Sequence, residues 1–185
     1  TTAEKTGVVD LNKVIQDSNV GKQNTTKLNQ ALAKRQALLN YIKDHTIITT
    51  EQAEKLRELE LKDPQTDADK AAIEKIKRDV GDSEKNQDML RGKSNLTEAE
   101  SRLLSEYSDR QRKSFETMQT WNSVFSDELS NMREQLQQST VDLAKAALAR
   151  VAKQQGFTTV LETQVAPYGA NDLTANTVTS MNAGK

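Results

Sequence analysis

The chain has 185 residues, of which 35% are hydrophobic and 29% charged, below the roughly 45–50% apolar share of an ordinary globular domain. Two prolines and seven glycines in the whole length speak against disorder and for long helices that bury a narrow stripe. A net charge of −1 supplies no global field to recruit nucleic acid or an anionic membrane surface.

In chain order, Thr6-Gly7-Val8-Val9-Asp10 reads as a short strand, followed by a helical turn, Leu11 to Ile15. A lone strand leaves both edges unpaired and needs a partner from elsewhere. Residues 22–155 read as helix with interruptions. Leu28, Leu32, Arg35, Leu39 and Ile42 recur at alternating steps of four and three, the spacing of a seam that faces another helix. A β-branched break follows at 45–49, after which Thr49 or Thr50 caps a helix running to Leu61. Asp63-Pro64 ends it, because proline disfavours the helical conformation of its predecessor. Thr66 starts another helix, with Ala72, Ile73 and Ile76 on its apolar side and Gly81 as a candidate interruption, and a further break falls at 92–96. These breaks are expected to have few apolar partners and to open most readily.

Thr97-Glu98-Ala99-Glu100 has the form of a capping box. From there neither Pro nor Gly occurs before Gly156, so about 58 residues at ~1.5 Å each predict a helix of nearly 90 Å. Met118, Trp121, Phe125, Leu129, Met132 and Leu136 form its seam. Beyond the cap-like Gly156, Phe157 to Leu161 reads as strand, Val165 to Gly169 as a turn or strand edge, and Asn171 or Asp172 as the cap of a last helix through Met181. The expected fold class is α+β and mostly helical. Residues 22–155 form a long antiparallel α-helical hairpin arm with breaks near 45–49, 62–65 and 92–96. A small β body is built from 1–21 and 156–185. Segments this small cannot bury themselves, so Val8, Val9, Val160 and Leu161 are expected in a shared trimer core.

Catalytic chemistry finds no footing. The absence of cysteine removes disulfides, thiol nucleophiles and thiolate metal sites. His45 is the only histidine, which forbids a His-pair metal site, and as a lone residue in a break it is expected at the surface. No Gly-x-Gly-x-x-Gly or phosphate loop occurs, and acid pairs such as Asp127-Glu128 sit in a charged helix. No catalytic, cofactor-binding or metal residue is assigned, and no enzyme activity is expected. No apolar run approaches the ~18–20 residues of a membrane span.

Charge is unevenly placed. Lys22, Lys27, Lys34 and Arg35 have no acidic neighbour within 22–42, whereas residues 43–100 carry 11 basic and 15 acidic side chains. Four of the aromatics, Tyr107, Phe115, Trp121 and Phe125, fall close together on the long helix. Trp121 and Phe125 share its seam; Tyr107 and Phe115 are candidates for contact with a bound chain.

The opening, Thr6 to Val14, and the ending, Gly156-Phe157 to Leu161 with Tyr168, Asn171-Asp172-Leu173-Thr174 and Val178, together resemble the two ends of the Skp/OmpH family of periplasmic chaperones. The likeness covers about 50–60 residues at the ends; over the middle it concerns architecture alone. It implies a homotrimer whose helical tentacles enclose a cavity. It also implies an ATP-independent, cofactor-free holdase whose partners are unfolded outer-membrane β-barrel proteins, with no nucleic acid or membrane span involved. Periplasmic location is expected, a start at Thr1-Thr2-Ala3 without Met suiting a removed signal peptide. In such a trimer Lys22, Lys27, Lys34 and Arg35 repeat as twelve cations and, with Tyr107 and Phe115, are the candidate client contacts. Family members are strongly basic, whereas the pI here is ≈ 5.9. The alternative is therefore a coiled-coil structural, assembly or tether protein that binds one defined folded partner.

Overall fold

A computed structural model describes residues 4–169 and 171–184. The chain is mostly helical with one small two-stranded sheet. In order it forms β1 (Thr6–Val9), α1 (Leu11–Asp17), α2 (Asn19–Asp44), α3 (Thr50–Leu61), α4 (Asp67–Arg91), α5 (Glu98–Gln155), β2 (Thr159–Glu162) and α6 (Thr174–Asn182). It divides into two compact units, Thr1–Asn29 with Ser130–Lys185 and Gln30–Leu129, so each boundary falls inside a helix, α2 or α5.

In the terminal unit β1 and β2 pair in parallel, Thr6 opposite Thr159 and Val9 opposite Glu162. On the other side of β1, the Val8 amide donates to the Asn171 carbonyl and the Leu173 amide to the Val8 carbonyl, both at 2.8 Å. β1 is thus the middle of three extended segments. Asp10 starts α1 by accepting the Lys13 amide at 2.9 Å. Gly21 is required where α2 leaves α1, because a Cβ there would lie 1.8 Å from the Ile15 carbonyl oxygen. At the far end of α5, Gly156 takes φ +72° and the Phe157 amide donates back to the Ala152 carbonyl at 2.9 Å, a left-handed helix stop that glycine accepts without strain. The Lys5 ammonium adds a bond to the Gln155 carbonyl at 3.0 Å, placing a cation at the negative end of the helix. Val9, Val14, Ala144, Ala147 and Met181 form the core, with Ile15, Leu148, Val160 and Val178 packed on it.

Two expectations change here. Val8 and Val9 are buried within the single chain: Val9 packs with side chains of β2, α5 and α6, and Val8, on the other face of the sheet, lies against Gly169. The last helix starts from Leu173, not from Asn171 or Asp172, although the Asp172 carboxylate accepts the Thr174 amide at 2.8 Å and holds the first turn.

The helical unit contains four helical segments, separated where the breaks were expected, with α2 antiparallel to α5 and α3 to α4. The Ser114 hydroxyl reaches the Ile42 carbonyl, and Arg35 meets Glu128, so α2 and α5 run oppositely. Lys62 pairs with Asp69 and Lys77 with Glu60, folding α4 back on α3. The cluster of Leu38, Ile42, Ile48, Ala53, Leu56, Leu59, Ile73, Val80, Trp121 and Phe125 draws on α2, α3, α4, α5 and the loop before α3. The sequence stripes lack complete cover: Leu32, on the α2 seam, is exposed.

The helix starts follow their local chemistry. Thr49 and Gln52 form a capping box for α3, Thr66 and Asp69 one for α4, and Thr97 and Glu100 exchange the same two bonds at the head of α5. Gly81 does not interrupt α4, which runs unbroken from Asp67 to Arg91; glycine in a helix interior costs only about 1 kcal/mol against alanine, less than the packing of Ile73, Val80 and Leu90 on either side supplies. The break at 45–49 is also unlike the expectation, since Ile47 and Ile48 are each 2% exposed. Ile47 and Ile48 leave the helix and enter two separate apolar clusters. Residues 92–97, by contrast, are exposed throughout.

Acid should loosen two of these starts. The Lys93 ammonium, 2.6 Å away, and the Thr97 amide hold the Glu100 carboxyl down at about 2. The Lys62 ammonium and the Thr66 amide likewise hold Asp69 well below the usual carboxylate range. A carboxylate whose value is depressed on folding contributes stability above its unfolded value and loses it as pH falls through the folded one. Helicity by circular dichroism should therefore decline between about pH 4.5 and 2, and less so in Glu100→Gln. Flat helicity across that window would contradict the linkage.

Candidate functional site

The surface-facing groups of the terminal unit gather around β2. The Thr159 and Thr163 amides donate inward to Lys5 and Val9 carbonyls, so the intervening Val160 and Glu162 amides point to the other edge, where no further strand pairs among the described residues. Val160 is half-buried and packs on the core, whereas Leu161 is 37% exposed. The following turn leaves Val165 75% and Tyr168 98% exposed. Gly169 must be glycine beside them: a Cβ would stand 2.0 Å from a Val8 methyl. The result is an open strand edge on β2 with Leu161 exposed on the strand, followed by a turn that carries two further accessible apolar side chains. Of the four residues expected at a subunit contact, only Val160 and Leu161 have surface left to give.

Lys22 and Lys27 are exposed on α2 in this unit. Between them Asn24 turns inward and donates to the Thr140 hydroxyl at 2.9 Å, which fixes the lysine face outward. Lys34, in the helical unit, is half-buried and its ammonium lies 3.4 Å from the Lys62 carbonyl.

Arg35 is not a free cation. It donates to Glu128 through Nε at 3.0 Å and Nη2 at 2.8 Å, and Arg57 reaches the other Glu128 oxygen at 2.7 Å. Both guanidinium groups lie over the Phe125 ring, at 5.6 and 5.3 Å. Glu128 thus satisfies two arginines that close the edge of the apolar cluster. Tyr107 is likewise withdrawn: it is 3% exposed among Ile47 and Leu90, with Asn86 donating to its hydroxyl at 3.2 Å. Phe115 is the accessible aromatic of the set, 56% exposed. His45, expected at the surface, is half-buried; its Nδ1 lies 3.0 Å from Glu84 and its ring 4.2 Å from Tyr41. Burial first, then Glu84 and Glu74, push the Tyr41 hydroxyl up to about 12.

Sequence reading missed Arg57, Glu54 and Glu128 as partners of the aromatic stripe. The three-residue spacing of Ala53, Leu56 and Leu59 is the signal that would have marked the inner face of α3, but nothing local identifies what it covers. Among the described residues, no group of three or more His, Cys, Asp or Glu side chains is placed to hold a metal ion. No helix among the described residues is long and apolar enough to cross a membrane. No protein-family model, curated protein or solved structure matches this chain.

Proposed function

We propose that this protein is an ATP-independent holdase of the Skp/OmpH kind, a periplasmic homotrimer that cages unfolded outer-membrane β-barrel proteins. The observation that carries the reading is the sheet. A chain that is mostly helix pairs the strand at its beginning with the strand near its end, and leaves β2 with an open edge and an exposed Leu161, ahead of a turn that exposes Val165 and Tyr168. In this reading three such edges meet in the trimer body, and residues 22–155 of each subunit serve as a hairpin arm around the client. An unfolded barrel exposes apolar residues and strand edges that aggregate unless sequestered. Many weak contacts hold such a chain and release it without an energy source.

The assay is suppression of aggregation of several unrelated unfolded barrels, expected near one trimer per client. Suppression of none of them would overturn the reading. Leu161→Asp places a charge on the exposed edge without entering the monomer core; it should leave helicity intact while light scattering reports single chains. An unchanged oligomeric mass would remove the trimer body as drawn.

The cation set is reduced to Lys22, Lys27 and Lys34, since Arg35 is neutralised by Glu128. Changing these three to Gln should lower client affinity and flatten its salt dependence, because exposed charges act over only about 8 Å at physiological ionic strength. Binding that is unaltered across a salt titration would leave shape and apolar contacts as the holding forces.

A tether for one folded partner is the second reading, and one observation favours it: the helical unit closes its own apolar core, with Leu32, Met89, Leu96 and Phe115 as single exposed positions on four different elements. A tether suppresses aggregation of none of the barrels.

A further inference from the structure

The seam leucines of α2 and α5 do not close within the terminal unit. Leu28 and Leu136 are each half-buried, as is Ile15 of α1, which lines the same groove. The gap follows from small and polar neighbours. Gly21 contributes no side chain, and Asn24 and Thr140 meet in a hydrogen bond of 2.9 Å instead of filling the space with apolar atoms. What is left is a groove of about 150 Å³, the volume of a cavity that takes up one benzene molecule.

Charge says what enters it. Arg133 lines the groove, exposed and without an ion pair among the described residues, and no acidic side chain lines it. Glu134, next in sequence, lies about 100° further round α5 and faces another side of the helix. Every ion pair among the described residues falls within residues 35–128, inside the helical unit. There the arginines beside the apolar cluster have their carboxylate, Arg35 and Arg57 sharing Glu128. Arg133 has the apolar edge and lacks the carboxylate.

We propose that this groove is a client subsite: it seats one apolar side chain of an extended segment, and a carboxylate within two residues of that side chain pairs with Arg133. The subsite rests on the holdase reading and names what a subunit selects in its client. Strands of a membrane barrel alternate apolar with polar residues, so an apolar side chain with an acidic neighbour recurs along the unfolded chain. Each contact is weak, an exposed ion pair changing affinity by about twofold to fivefold. Weak, repeated contacts suit a holder that releases its client without an energy source.

The test uses the full chain with methyl-labelled Ile and Leu, and two short fluorescent peptides that alternate apolar with polar residues. One carries an aspartate beside its phenylalanine, the other a lysine there. The aspartate peptide should shift the methyl resonances of Ile15, Leu28 and Leu136 and leave those of the buried Leu38 and Ile42 in place. By anisotropy it should bind Arg133→Gln about twofold to fivefold more weakly, and Arg133→Glu should prefer the lysine peptide. Arg133 is exposed, so helicity should match the wild type in both variants. No binding of the aspartate peptide overturns the subsite, as does binding without shifts at Ile15, Leu28 and Leu136, or an affinity unmoved by either change at Arg133. In each case continued suppression of barrel aggregation leaves the holdase reading standing. A chain that binds neither peptide and suppresses the aggregation of no barrel removes both.

Discussion

Trp121→Ala should destabilise the helical unit by about 3–5 kcal/mol, the usual cost of removing a buried Trp and leaving its cavity. Trp121 is 1% exposed, lies 5.5 Å from the Phe125 ring centroid, and is the side chain on which α2, α3 and α5 converge. Truncation removes that contact area and leaves the Arg57 guanidinium without the ring beneath it. Because the chain has two compact units, unfolding need not be a single transition. Urea melts followed by circular dichroism should show an early loss of helix in the variant. A shift below about 1 kcal/mol would mean that the neighbouring helices collapse into the vacated space.

Val9→Asp should be comparably severe in the terminal unit. Val9 is 2% exposed among Val14, Ala144, Ala147 and Met181, and none of these offers a hydrogen bond to a carboxylate. An unpaired buried charge costs several kcal/mol or forces the segment apart. Since Val9 is buried within one chain, the loss should appear in the dilute single-chain state as well as in any assembly. Hydrogen exchange would report it at β1, β2 and α6, with the amides of residues 50–91 unaffected. Retained protection at β1 would contradict the packing described.

Local chemistry made a good part of this fold readable. The strands at Thr6–Val9 and Thr159–Glu162 stood out by β-branched composition, and the caps at Thr49, Thr66 and Thr97 by the residue three positions on. What could not be read depends on partners distant in sequence. Arg35 looked like one of four free cations because its carboxylate lies 93 residues away. Tyr107 looks accessible in the sequence because the break carrying Ile47 gives no local sign that it packs against Tyr107. Val8 and Val9 looked too few to bury themselves because α6, which returns to β1, is separated from it by most of the chain. Two helical stripes read as a pair of facing seams; α3 and α4 add their own apolar residues to the same cluster, and a three-residue apolar spacing in a short helix does not say where it will dock.

The parallel pairing of β1 with β2 also fixes an order of events. Lys5 and Thr158, which bond at the mouth of this sheet, are 153 residues apart, and a chain made at about 5–20 residues per second leaves β1 waiting roughly 8–30 s for its partner. The helical unit is contiguous, Gln30–Leu129, and is complete before β2 exists. Once Arg35 meets Glu128, 93 residues drop out of the loop that the sheet must close. The free length falls from about 150 to about 60, which lowers the closure cost by roughly 0.8 kcal/mol. The helical segment is therefore the part of the nascent chain that shortens the search. β1 spends that interval as an unpaired strand, the stage at which the chain is most open to pairing with another one.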